Sequence, residues 1–403
     1  MRFATLAIVI IVALGAIAAA LHVSSQKEFP ELTELSARSD WEFNELVPYF
    51  KKLAEEKGAA YAFDILLHAD LPRTINTHLV AHEIGYVLYD QEGMQGIQTC
   101  TQDFRNACSH SVVISALIEN GEGSLSQIAE ICRQAPGGKG AYTMCFHGLG
   151  HGVLAYTDYN LEQAVAMCQE TATSEYQGRE SIECIGGTVM EMIDGYHDPE
   201  AWELQKSRYL TATDPLSPCN ASFMPEEARG MCYAYLTPHF FSLAGTHINV
   251  EDMSGADFTE AFSFCAPLSN NPELSDACYQ GFGKEFVTLA AGRNARDIGS
   301  IPASELSKVW EWCSQAPDGR GKQVCAMHAL AFLFWGGENK PDASFSFCEL
   351  VEGSEQEACY QELAGQISYY QGGTLEGLTL CDRLPSAYQA LCGGSASYRS
   401  YFK

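Results

Sequence analysis

The sequence predicts an all-α protein built as an array of disulfide-stapled αα-hairpin repeats, an α-solenoid or curved superhelix. Three observations carry this expectation. Sixteen cysteines alternate between short and long spacings. Segments ending at a cysteine share one helix-capping register, and an apolar, glycine-bearing stretch follows the second cysteine of several pairs.

The pairs Cys100/Cys108, Cys132/Cys145, Cys168/Cys184, Cys219/Cys232, Cys265/Cys278, Cys313/Cys325, Cys348/Cys359 and Cys381/Cys392 span 8, 13, 16, 13, 13, 12, 11 and 11 residues, with 22 to 35 between pairs. Sequential pairing is the economical connectivity, one bridge to a repeat. The absence of any C-x-x-C excludes c-type haem attachment, zinc knuckles and thioredoxin-like redox chemistry. An even cysteine count of this kind predicts an oxidising, extracytoplasmic compartment: secreted, periplasmic or cell-surface. A bridge closing a loop of ~15 residues contributes ~3 kcal/mol through chain entropy, enough to hold a helix too short to hold itself.

Taken in order, Phe3 to Leu21 is an apolar run behind Arg2 that exits through Ala18-Ala19-Ala20. Residues 1–22 therefore read as a signal peptide or, since a span needs ~20 residues, an N-terminal anchor. Residues 23–39 read as a polar linker, and 40–403 as a single α-repeat domain. Its first part, 40–99, is a cysteine-free capping unit: an amphipathic helix over Trp41 to Lys57, a short one over Ala59 to His68, a break at Leu71-Pro72, and a helix over Thr77 to Tyr89. Residues 100–392 form eight Cys-paired units.

In three of these units a capping residue stands eight before the first cysteine with Gln or Glu three after it: Ser124/Gln127/Cys132, Asn160/Gln163/Cys168 and Asp257/Glu260/Cys265. Each is a capping-box start for a short helix. Pro and Gly then turn the chain, as in Ala135-Pro136-Gly137. A second, apolar helix is expected from the second cysteine of each pair, for example Cys108 to Glu119, Cys145 to Tyr156, Cys184 to Ile193 and Cys278 to Ala290. Glycine inside a helix costs ~1 kcal/mol against alanine, so Gly148/Gly150, Gly186/Gly187 and Gly281/Gly283 predict close approach of a neighbouring helix or bridge. This architecture resembles helical repeat proteins of the tetratricopeptide kind, without their Ala, Leu-Gly and Tyr pattern at a fixed period. The tail from Gly393, rich in Ser and Tyr, reads as loose or as a final partial helix.

A net charge of -27 with only 24 basic residues argues against nucleic acid and anionic membrane surfaces as partners, leaving the N-terminal segment as the one membrane contact.

Five histidines fall in register. His110 is two after Cys108, and His147 is two after Cys145 with His151 four further on; His78 and His82 repeat that spacing in the capping unit. Four residues put both imidazoles on one helix face, where they can share a metal. Imidazoles suit zinc, copper or iron, whereas calcium and magnesium prefer oxygen. The five can meet only if the array curves tightly with these helices inside. Ile114 occupies the matching position below His110, and Gly148, Gly150 and Gly152 predict open space beside His147 and His151. Binding should weaken as pH falls through ~6.5, where a free imidazole protonates.

His82-Glu83-Ile84-Gly85-Tyr86 starts like a zinc-protease signature but has Tyr86 where the second ligand belongs. Glu83 is the one catalytic candidate, as a general base or a partner of a metal ligand, although it is turned ~100° from His82. His197, His239 and His328 read as structural. Two functions follow. One is an exported scaffold that binds a protein, peptide or glycan and includes a histidine-lined metal or cofactor site; the other is a metal-dependent extracytoplasmic enzyme using the same histidines.

Overall fold

Apolar helices joined by short stapled turns have to bury their faces against one another, and here they do so in chain order. The computed structural model describes residues 29–392 apart from 175, 247, 249–251, 254, 293–294, 337–340 and 372–374. The apolar leader and the tail lie outside the described residues. Among these residues there are twenty α-helices and no strand, and no helix is long and apolar enough to cross a membrane.

The N-terminal helices are α1 (Pro30–Ser36), α2 (Phe43–Lys57), α3 (Ala59–His68) and α4 (Thr77–Glu92). Helix α1 corrects the expected polar linker. Pro30 sits at its first turn, where a missing N–H costs nothing, and Leu35 is fully buried with Trp41 Nε1 donating to its carbonyl at 3.0 Å. The start of α2 is fixed by a capping box between Glu42 and Glu45, two residues later than expected from Trp41.

Next come α5 (Asp103–Asn120), α6 (Leu125–Cys132), α7 (Gly138–Tyr156), α8 (Leu161–Gln169), α9 (Arg179–Asp194) and α10 (Pro199–Tyr209). They are followed by α11 (Arg229–Tyr235), α12 (Thr237–Leu243), α13 (Thr259–Ser263), α14 (Pro272–Ala290) and α15 (Ala303–Cys313). The last are α16 (Gly319–Gly336), α17 (Asp342–Glu349), α18 (Gly353–Gln371), α19 (Leu375–Arg383) and α20 (Ser386–Cys392). Helices α10 and α12 are extra elements that fill the long intervals after Cys184 and Cys232.

All eight bridges close sequentially, with Cα–Cα distances of 5.4 to 5.8 Å: Cys100–Cys108, Cys132–Cys145, Cys168–Cys184, Cys219–Cys232, Cys265–Cys278, Cys313–Cys325, Cys348–Cys359 and Cys381–Cys392. Eight disulfides suit an oxidising, extracytoplasmic environment.

Apart from Cys108, the second cysteine does not open its helix, contrary to expectation. Helices α7, α9 and α14 begin at Gly138, Arg179 and Pro272, several residues before Cys145, Cys184 and Cys278, whereas in α5 Phe104, Arg105 and Asn106 are left-handed and the right-handed helix starts at Ala107, beside Cys108 as expected. The same correction applies to Cys325 and Cys359, both fully buried inside α16 and α18, which begin upstream at Gly319 and Gly353. Local chemistry sets these starts. Left-handed Gly137 and Gly178 precede α7 and α9, and Gly353 with a φ of 64° opens α18. At α16, Asp318 caps the first turn, its Oδ1 accepting from Gly321 N at 2.7 Å. The five bridges at Cys145, Cys184, Cys278, Cys325 and Cys359 therefore pin the second turn of a helix, inside the packed layer.

Of the three capping registers, Asn160 acts as expected, its Oδ1 accepting from Gln163 N at 3.3 Å. Ser124 instead donates to the Gly121 carbonyl, and Asp257 caps Thr259 N at the start of a helix only five residues long.

The long helices α4, α5, α7, α9, α11, α14, α16 and α18 each pack on the next, and one apolar core runs from Leu35 to Cys392. Glycines mark the crossings. A Cβ on Gly150 would lie 2.0 Å from the Cys184 carbonyl oxygen, one on Gly187 2.0 Å from that of His147, and one on Gly283 2.2 Å from that of Cys325. Gly148 and Gly152 are filled by His110 and Ile114, so these glycines do not themselves provide the open space expected beside His147 and His151. Their role is the one read for the other glycines, backbone contact between helices.

The chain also turns back on itself. Arg73 donates to the Ala290 carbonyl at 2.8 Å, the Arg105 guanidinium lies 4.1 Å from the Phe332 ring centre, and the turn Ala295–Ser300 touches α4, α5, α14 and α16. The first helices and the α14–α16 region thereby enclose a space between them.

Candidate metal centre

Six histidines and one carboxylate converge there. Helix α4 supplies His78 and His82, α5 supplies His110, α7 supplies His147 and His151, and α9 supplies Glu191. The sixth histidine, His197, was read as structural; its loop folds back over α9. Gly195 takes a left-handed φ of 66° and packs on Trp202, Asp198 caps α10 through Ala201 N, and His197 N donates to Glu191 Oε1 at 2.9 Å. Glu83 lies outside the site. The carboxylate in this cluster is Glu191, fully buried on the apolar face of α9. His239 and His328 stay apart from the cluster.

The imidazoles touch in sequence. His82 lies 4.7 Å from His78, 5.6 Å from His110 and 5.7 Å from His197 between ring centres, and His151 lies 5.1 Å from His147 and 5.6 Å from His197. The ligand atoms of His78, His82 and His110 lie within 4.8 Å of one another, as do those of His151, Glu191 and His197. Either group could hold a metal ion.

Hydrogen-bond partners fix which nitrogen faces inward. His78 Nδ1 meets the Phe104 carbonyl, which only accepts, so Nδ1 carries the proton and Nε2 the lone pair. That carbonyl is presented by a left-handed turn at Phe104, Arg105 and Asn106, with φ of 55°, 55° and 62°, a conformation costing ~1 kcal/mol or more per non-glycine residue. His82 Nδ1 lies 3.0 Å from Ser111 Oγ, which also sits 2.9 Å from the His82 carbonyl and 3.0 Å from that of Ala107. When the single hydroxyl proton goes to either carbonyl, His82 Nδ1 is the donor and its Nε2 also carries a lone pair.

The two Nε2 atoms are 3.1 Å apart. In the metal-free chain a proton on His82 Nε2 bridges them while Ser111 donates to Nδ1; a cation bound by both takes the place of that proton.

Glu191 fixes two more. Its Oε2 accepts from His151 Nδ1 at 3.1 Å and His197 Nδ1 at 2.6 Å, while Oε1 accepts from Tyr159 OH and His197 N. A carboxylate has about four lone-pair sites, and all are taken. Glu191 is therefore the anion that orients two imidazoles with Nε2 free, the usual arrangement behind a metal-bound histidine. Burial would raise its pKa, but His197 and His151 overrule burial and hold it well below the ordinary carboxylate range.

His110 differs from the rest. It is 2 % exposed and neither ring nitrogen makes a hydrogen bond of normal geometry, although the Met144 carbonyl lies near enough to favour its protonated form. A buried polar atom without a partner costs ~1–3 kcal/mol.

Burial lowers the pKa of the cluster's five helix-borne imidazoles: His78 to about 3, His82, His110 and His147 well below the ordinary value, and His151 also downward, with Glu191 opposing the shift. These five are neutral at pH 7. Protonation, expected near pH ~6.5 for a free imidazole, moves lower in the folded chain.

A cavity of about 360 Å³ adjoins the cluster. All six imidazoles line it, with Met190, Ile193, Phe241 and Ile298 as apolar wall, and Arg105, Lys284 and Glu285 as charged groups. Comparison with protein-family models, curated proteins and solved structures finds no match. The site is therefore read from its chemistry alone.

Legible in the sequence were His78, His82, His110, His147 and His151, which the fold brings together. Missed were His197 and Glu191. A glutamate inside the apolar run Val189-Met190-Glu191-Met192-Ile193 needs a buried partner, and Gly195 followed by Asp198-Pro199 signals a tight reversal that could supply one.

Proposed function

We propose that this chain is an exported metal-binding protein whose histidine cluster holds zinc, copper or iron through Nε2 nitrogens at the end of a small-molecule cavity. His110 carries the reading. Its nitrogens are buried among other imidazoles and make no hydrogen bond of normal geometry, a cost that a metal ion removes. An all-imidazole set suits these borderline ions, and the outward bonds of His78, His82, His151 and His197 supply the orientation that metal ligands require.

On this reading the stapled hairpins form a tightly curved superhelix with the histidine-bearing helices inside, and its outer faces are offered to a protein, peptide or glycan, as repeat arrays commonly do. A metal-dependent enzyme is the second reading, favoured by the cavity. Three histidines leave a tetrahedral position open, where a bound water is acidified or a substrate oxygen polarised.

The test is zinc binding to untagged protein in competition with a chromophoric chelator, beside His110→Ala and the double variant His147→Ala/His151→Ala. Wild type should bind and gain thermal stability with zinc, and both variants should bind at least 10-fold more weakly. Wild type that binds no zinc, copper or iron, or variants that bind as tightly, would remove this function.

A further inference from the structure

The cluster contains more imidazoles than one ion needs, and they divide by chain origin into two equivalent sets. Each set has an H-x-x-x-H pair on one helix and a single histidine from elsewhere: His78 and His82 with His110, and His147 and His151 with His197. Resting on the metal-binding reading above, we infer that the cluster is a two-ion centre, one ion on each set, with their open positions shared by a bridging oxygen anion.

Ring spacing is compatible with the division, which the helix origins of the residues draw. Three imidazoles bound through nitrogen at ~2.1 Å to one tetrahedral ion place their ring centres about 5 Å apart. In the first set the separations are 4.7, 5.7 and 5.6 Å. In the second, His151 lies 5.1 Å from His147 and 5.6 Å from His197 and links the two, the ligand atoms of His151 and His197 being grouped with those of Glu191. Between the sets the closest approaches are 5.7 Å for His82 and His197, 5.9 Å for His110 and His147, and 6.1 Å for His110 and His151. A single octahedral ion would hold its adjacent rings closer, about 4.6 Å apart at the same bond length. Only the His78–His82 pair comes near that value.

The sets nonetheless adjoin across those three contacts, within the reach of two ions ~3.5–4 Å apart sharing one oxygen. Charge makes the same demand. Imidazole ligands bring no charge of their own, and Glu191 has its acceptor sites filled by His151, His197 and Tyr159. Two dications together with Arg105 and Lys284 outweigh Glu191, Asp194 and Glu285 around the same space, and a bridging hydroxide or ligand carboxylate reduces that excess positive charge. The cavity lined by all six rings is where that anion enters. Each pair has its own stiff helix, and the two helices are separated by α5, so either set can fill while the other is empty.

Untagged protein is loaded with zinc, freed of excess by gel filtration, and its metal counted per chain. Two ions are expected in wild type, and one in each of His78→Ala/His82→Ala and His147→Ala/His151→Ala, scored for variants whose circular dichroism matches wild type. One ion in wild type, or loss of all metal from either folded double variant, overturns the two-ion centre while leaving the metal-binding reading intact; no ion in wild type overturns both. A measurement without variants decides independently. Copper(II)-loaded wild type should give an electron paramagnetic resonance signal at least 2-fold below its copper content, because bridged copper(II) ions couple; a signal equal to the copper content means isolated ions and overturns the proposal.

Discussion

Gly150→Ala should be strongly destabilising, whereas the same change at Gly365 should be neutral or favourable. Both glycines lie inside long helices, where alanine is the better former by ~1 kcal/mol. At Gly365 nothing stands within 4 Å of the added methyl, so that gain is realised. At Gly150 the methyl would lie 2.0 Å from the Cys184 carbonyl oxygen and 2.9 Å from Gly187 Cα. A carbon needs ~3.3 Å from such an oxygen, so α7 and α9 must separate by more than ~1 Å at this crossing. The obstacle is backbone, which cannot rotate aside, placing the change at the upper end of the 1–3 kcal/mol range for overpacking. After the propensity gain the net loss is ~2 kcal/mol, and the two variants differ by ~3 kcal/mol with opposite signs. Urea denaturation with the bridges intact reads it. The same shift moves His147 and His151 away from Glu191 and His197, so zinc affinity should fall with stability. A Gly150→Ala protein within about 0.5 kcal/mol of wild type, well under the overpacking range, would refute the close-packed crossing and with it the placement of the site.

Further outcomes follow from the same geometry. Glu191→Gln keeps the shape but cannot accept from His151, His197 and Tyr159 together, so zinc affinity should fall ~10- to 100-fold with metal content at saturation unchanged; full affinity would remove Glu191 as an orienting group. His110→Leu removes two buried nitrogens that make no hydrogen bond of normal geometry, so metal-free protein should gain up to ~1–3 kcal/mol while losing zinc affinity; a loss of stability equal to a core cavity would mean that the imidazole is packed as structure. Metal-free protein should unfold in mild acid. The pKa values of His78, His82, His110, His147 and His151 are depressed in the folded chain, so below ~6.5 the unfolded chain binds protons that the folded chain refuses. Stability is then complete above ~7 and falls as pH drops, at no more than about 7 kcal/mol per pH unit for five groups. Flat urea midpoints from pH 7 to 5 would contradict this, and bound zinc should move the fall to lower pH.

Much of the fold was legible because disulfides leave a spacing signature that needs no tertiary knowledge. The eight pairs, the helices over Ala59 to His68 and from Thr77, and the glycine crossings all follow from local chemistry. What sequence could not place were features decided by packing or by caps read too late in the chain. Helix starts moved ahead of Cys145, Cys184, Cys278, Cys325 and Cys359 because the bridges fasten helices that other residues begin: left-handed glycines at α7, α9 and α18, Pro272 at α14 and Asp318 at α16. Pro30 to Ser36 became a helix because Leu35 finds the capping unit, a contact with no local signal. In the site, the H-x-x-x-H pairs declared themselves by a four-residue period, while His197 reaches them through a reversal after α9 that matters only once α4, α7 and α9 are side by side. Glu83 was favoured by adjacency to His82; on a helix adjacency means a different face, and the carboxylate that faces the histidines comes from another helix.

The most direct measurement is anomalous diffraction at the zinc edge from crystals of zinc-loaded, untagged protein. Peaks should lie ~2.1 Å from Nε2 of His78, His82 and His110 and of His147, His151 and His197, with Glu191 hydrogen-bonded to Nδ1 of His151 and His197 and not to zinc. Zinc found only on surface carboxylates, or a histidine cluster that stays empty in zinc-loaded crystals, would contradict the metal centre.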